Sequence, residues 1–133
     1  MLAFRDKPPL LREIAGALDP GGRFACTVEV GDPLTAAERT AMPDADTVWP
    51  IPLPQFVELL AAAGLRVRWQ RDNSASHRDT VDGLVAAFSA GRPAIAAALG
   101  ERPIGSLLAG HRLWSRWLHT GRIRKVAIVA ERV

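Results

Sequence analysis

A single cysteine, Cys26, stands in 133 residues, which excludes a disulfide framework and any cysteine-based metal site. Set in an alternating apolar run, it reads as a small buried residue. No stretch approaches the roughly 18 consecutive apolar residues of a membrane span. The start, Met1-Leu2-Ala3-Phe4, is too short for the apolar region of a signal peptide. A cytoplasmic address and no membrane partner are therefore expected. Internal repeats and low-complexity tracts are absent. Three histidines with no shared short spacing, and no cysteine pair beside them, make no metal ligand set.

What is present is enough apolar residue, 48%, against 23% charged, to build one buried core and no room for a second. Charge is unevenly spread. Residues 1–60 carry 5 basic and 9 acidic side chains, whereas residues 61–133 carry 12 and 5. A basic half can signal nucleic acid. Here the arginines are scattered among alanine-rich helices without interleaved aromatics, so nucleic acid is not an expected partner.

Along the chain, Asp6 followed by Pro8 and Pro9, then Leu11, Ile14 and Leu18 at helical spacing, predicts a helix over 7–18. Asp19-Pro20-Gly21-Gly22 ends it in a turn. Phe24, Cys26, Val28 and Val30 then alternate with Ala25, Thr27 and Glu29, a strand over 23–30 with one apolar face. Residues 31–54 form a proline-rich excursion with helical potential only at 35–41; loops of this length in compact domains are usually functional or mobile. Pro54 opens a helix whose Phe56, Leu59, Leu60 and Ala63 share a stripe, and Gly64 caps it. Leu65, Val67 and Trp69 alternate with Arg66, Arg68 and Gln70, which predicts an edge strand. Helices follow at 74–90, 93–99 and 103–120. The run Val126-Ala127-Ile128-Val129-Ala130 suits a strand covered on both faces.

This alternation argues α/β layering. A right-handed helical crossover makes the first two strands parallel, and the contrast between a charged second strand and an apolar third puts the last strand between them.

Segment 10–24, LLREIAGALDPGGRF, with that topology, resembles the class I S-adenosylmethionine-dependent methyltransferase family. There a similar helix and Leu-x-Pro-Gly-Gly turn precede the fifth strand. Residues 4–8 resemble the stretch after the family's fourth strand, and residues 56–69, ending AAAGLRVRW, its sixth-strand unit. The resemblance implies the C-terminal half of a Rossmann-like methyltransferase sheet, strands 5-7-6 with the last antiparallel and central, and extra helices between the last two strands. The family's glycine-rich turn after strand 1 and its ribose-binding acid have no counterpart. The implied cofactor is S-adenosylmethionine, with no site for it expected in this chain alone. The strand at 23–30 would have an open outer edge, a template for association. A homo-oligomer, a strand swap or a separate N-terminal half is the expected partner.

Ligands of open α/β sheets bind beyond the carboxyl ends of the parallel strands, which points to Glu29–Asp32 and the excursion. The resemblance implies acceptor-side segments at 31–53 and 72–121 and a small, apolar methyl acceptor. His77, four residues before Val81, and His111, near Leu107 and Leu108, are candidate bases; each can equally be a core histidine bonded to a carbonyl. Trp114 and Trp49 are candidate walls of a substrate pocket, Trp114 alternatively plain core. Glu29, at the strand's end, either contacts substrate or faces solvent. Arg122, Arg124 and Lys125 read as a solvated approach to the last strand. Two functions remain open: the acceptor half of a methyltransferase, inactive without its cofactor half, and a non-enzymatic remnant or assembly module using the strand edge.

Overall fold

Five helices and three strands follow one another as α1 (Lys7–Gly16), β1 (Arg23–Val30), α2 (Ala36–Ala41), α3 (Leu53–Ala62), β2 (Leu65–Asp72), α4 (Ser74–Leu99), α5 (Glu101–Thr120) and β3 (Arg124–Arg132), with a 3-10 turn at Ala45–Thr47. This is a computed structural model and describes residues 1–133. The sheet order is β1-β3-β2, with β3 antiparallel to both neighbours. β1 and β2 are thus parallel to each other but never touch. The continuous apolar run takes the central position, where both edges are hydrogen-bonded, and the arginine-bearing β2 takes an outer one.

Register fixes the core. Phe24, Cys26 and Val28 lie opposite Ala130, Ile128 and Val126. All six side chains therefore share one face, because side-chain direction alternates along each strand. Leu11 and Ala15 of α1 and Phe56 and Leu60 of α3 close over that face. Gly64, at φ 81°, lets the chain leave α3 and enter β2 at once. Burial raises the Cys26 thiol to about 11, against a smaller pull downward from the N-terminal ammonium, so it stays protonated.

Two elements depart from the sequence expectation. Leu65 and Val67 face the core as expected, but Trp69 is 48% exposed. Pairing steps from Val67 with Ala130 to Trp69 with Val129, so Arg68 is an extra residue. That bulge reverses the alternation and turns the indole outward. The helices expected at 74–90 and 93–99 are one helix, α4, running through Pro93. Losing one backbone donor does not end a helix that is held along its length by α5 in an antiparallel pair reversed at Gly100.

The excursion is pinned rather than loose. Leu34, Met42 and Val48 pack with Leu113, Trp117 and Ile123 in a second core. Thr35 and Glu38 form a capping box at the start of α2. Arg122 then grips Glu38 with two bonds, Nε to Oε1 at 2.7 Å and Nη2 to Oε2 at 2.8 Å, and donates to Asp32 O and Pro33 O. Mainly through Arg122, the Glu38 carboxyl falls from 4.5 to about 2. A depressed carboxyl stabilises the fold above its unfolded value, and this contribution disappears as pH falls from 4.5 towards 2. Amide exchange in residues 31–54 is expected to accelerate over that window before the sheet core does; equal acceleration in Glu38→Gln would show that another group controls it.

The outer edge of β1 is only partly covered. The Met1 ammonium donates to Thr27 O at 3.2 Å, Ile51 N–H donates to Glu29 O at 3.2 Å, and Gly31 N–H donates to Ile51 O at 3.1 Å. Along Arg23–Cys26 no backbone partner lies on that side. No helix is long and apolar enough to cross a membrane.

Candidate functional site

At the carboxyl end of β1 the excursion, α4, α5 and the start of β3 border an open pocket of about 380 Å³. This is within the ordinary size range of small-molecule sites. Glu29, His77, His111 and Trp114 all line it, together with Lys125. Met42 and Val48 from the excursion and Leu84 from α4 supply apolar wall. The pocket exists because the excursion folds back onto α5 through its own small core, leaving a gap above the end of β1.

The two histidines are held differently. His77 Nε2 accepts from Trp114 Nε1 at 3.3 Å. Its lone pair is thereby engaged, and burial, reinforced by Lys125 and opposed by Glu29, lowers its pKa so that the ring is neutral near pH 7. His111 Nδ1 lies 2.8 Å from Leu107 O. A carbonyl only accepts, so Nδ1 carries the proton, and in the neutral ring Nε2 is left as an acceptor. Phe88 meets the His111 ring edge to face at 5.6 Å and restrains its orientation. Trp114 is set against Trp117 in the same way at 5.9 Å.

Glu29 does not face solvent. It is 4% exposed and paired with Lys125, its cross-strand partner in the β1–β3 register. Its second oxygen, Oε2, is buried with no hydrogen-bond partner. Lys125 is the residue that the sequence reading missed. Of the three cations read as solvated, Arg122 is committed to Glu38 and Lys125 to Glu29; only Arg124, paired with Asp72 at 3.2 Å, is at the surface. Nothing local marks Lys125 out, since its partner is 96 residues away.

Trp49 lies apart from the others. Its ring is flanked by the guanidinium of Arg39 at 3.9 Å and of Arg5 at 4.9 Å, and its Nε1 donates to Asp46 O at 2.6 Å. The buried Lys7 ammonium donates to Trp49 O and Phe4 O, both at 2.8 Å. These bonds staple the excursion to the beginning of α1.

No protein-family model and no curated protein matches the sequence. Solved structures do match the fold. A cyclopropane synthase from Mycobacterium tuberculosis superposes with a TM-score of 0.82 at 13% identity, over 94% of this chain and 49% of its own. A phosphoethanolamine N-methyltransferase from Haemonchus contortus, in complex with phosphomonomethylethanolamine and S-adenosylhomocysteine, gives 0.80 at 14%, over 97% of this chain and 30% of its own. A [4+2]-cyclase gives 0.70 at 20%, over 94% and 43%. The chain thus has the fold of the C-terminal half of an S-adenosylmethionine-dependent methyltransferase, and it spans half the length of these proteins or less. Since a cyclase shares that fold, the fold alone does not set the reaction.

Proposed function

We propose that these residues are the acceptor side of an S-adenosylmethionine-dependent small-molecule methyltransferase, and that the pocket takes an apolar methyl acceptor. The observation carrying this reading is the pocket's place at the carboxyl end of β1, where open α/β sheets take their ligands. His111 is the candidate base, because its Nε2 is the ring nitrogen left without a partner; His77 is a positioning residue for Trp114. The Haemonchus enzyme of the same fold is in complex with phosphomonomethylethanolamine and S-adenosylhomocysteine, which supports a small-molecule acceptor in general.

These residues do not fit the cofactor by themselves. Gly31 is the glycine at the end of β1, and a Cβ there would meet Arg122 O at 2.7 Å, so its smallness serves the chain's own backbone. A second cofactor-binding part is therefore required, and the unpaired edge along Arg23–Cys26 is where it would add a strand. That edge also favours a second reading, an assembly module joined through β1. Calorimetric titration with S-adenosylhomocysteine, on samples followed by light scattering, tests both. The chain alone is expected to release no binding heat and to self-associate. Tight binding by a monomer would overturn the incomplete-site reading and the assembly reading together.

A further inference from the structure

A second pocket, of about 360 Å³, lies between the beginning of α1, the excursion and the start of α3, and shares no residue with the first. Residues 1–60 carry 5 basic and 9 acidic side chains, yet Arg5, Lys7 and Arg39 all line this one pocket and none of the acids does. None of the three cations forms an ion pair. Like charges gathered without a counter-ion repel one another, and an anion among them relieves that repulsion.

Two of these cations can be reached and have donors to spare. The guanidinium carbons of Arg39 and Arg5 stand 3.9 and 4.9 Å from the same Trp49 ring centroid, within a Debye length of each other. Stacking uses the flat face of a guanidinium and leaves its N–H edge free. Arg39 spends one donor, Nη1, on Ala45 O, and Arg5 spends none. Arg5 is exposed and Arg39 half-buried, so solvent and solutes meet both. Lys7 is 3% exposed and donates to the Phe4 and Trp49 carbonyls, so its charge acts on the pocket from the interior. Burial lowers its pKa, and Glu29, the charge that opposes this, is bonded to Lys125.

Charge and shape select the anion. A carboxylate offers two oxygens and a single charge, whereas a phosphate monoester offers three terminal oxygens and nearly two charges, enough to accept from both arginine forks. Pro50, Ile51 and Leu59 leave apolar wall for a compact body. We propose that this pocket is a second ligand site, for a small molecule whose dianionic phosphate group is held by Arg5 and Arg39. Bound there, the group ties the residues before α1 to the excursion, which also walls the first pocket through Met42 and Val48.

Three probes test this without cofactor: phenyl phosphate, phenyl sulfate, which shares its shape but carries one charge, and inorganic phosphate. Binding is read from the Trp49 indole shift in nitrogen-15 spectra at about pH 7.5, above the monoester's second pKa of about 6. Phenyl phosphate is expected to bind at least about tenfold more tightly than phenyl sulfate, because charge-assisted bonds to a dianion are the stronger ones. Arg5→Gln and Arg39→Gln should each weaken phenyl phosphate at least about fivefold. Arg12→Gln removes the same charge from the exposed face of α1, outside the pocket, and should change affinity less than about twofold. Melting curves show which variants are folded, and Arg5, which bonds to no backbone group, supplies a variant that leaves the fold alone. Inorganic phosphate binding as tightly as the ester would assign the site to the free anion, and weaker binding to an ester. No Trp49 shift with either phosphate, equal affinity for phenyl phosphate and phenyl sulfate, or an equal loss in Arg12→Gln would each overturn the proposal.

Discussion

Lys125→Met is expected to destabilise the protein by about 3 kcal/mol or more, a larger effect than its place at a strand's exposed beginning suggests. The substitution keeps length and packing but leaves the Glu29 carboxylate buried with neither oxygen paired. Removing one partner of a buried pair leaves an uncompensated charge, whereas replacing both by apolar groups is often neutral or stabilising. Glu29→Leu/Lys125→Met should therefore recover most of the loss. Urea denaturation of wild type, the single variant and the double variant measures the cycle. A Lys125→Met protein within about 1 kcal/mol of wild type would mean that the pair is open to water and that Glu29 is not a buried charge.

The second large effect lies on the opposite side of the sheet. Phe56 is fully buried between α3 and the strands, in the core with Leu11, Leu60 and Ile128. Phe56→Ala removes a ring from a close-packed interior and should cost about 3–5 kcal/mol. Trp69, also aromatic and placed by alternation on the face of Leu65 and Val67, provides the contrast: Trp69→Ala should stay within about 0.5 kcal/mol of wild type, as surface substitutions do. Denaturation curves of the two variants would invert this order if the bulge at Arg68 did not turn the indole outward.

That contrast marks the limit of what periodicity can say. Alternation located β1 at its observed bounds, Arg23–Val30, because one face of it is genuinely buried, and the uninterrupted apolar run located β3 as the central strand. Gly64 marked the end of α3 because a left-handed residue is required there. Each of these depends on local chemistry. A bulge does not: Arg68 is an ordinary strand residue whose pairing is decided on β3. Pro93 carries a strong local stop signal, and packing against α5 overrides it. The site divides in the same way. Helical spacing brought His77 and His111 to inward stripes, and both line the pocket with Glu29 and Trp114. The burial of Glu29 and the recruitment of Lys125 arise from strand register across 96 residues, which spacing along the chain does not encode. Trp49 was drawn to attention by its loop; held by two arginines and a lysine, it lines a separate pocket with Arg5, Lys7 and Arg39.

Because β3 separates β1 from β2, neither earlier strand has a sheet partner until residues 124–132 have been made. During synthesis the first hundred or so residues can form helices, but their two strands must wait for the last to arrive. Nearly all sheet contacts then form between distant parts of the chain, an arrangement that slows folding. Meanwhile β1 lacks its partner along the inner edge, and its outer edge has only the contacts from Met1 and Ile51. The interval before β3 enters is thus the period of greatest exposure to wrong pairing, and the order of strands prolongs it until residues 124–132 are made.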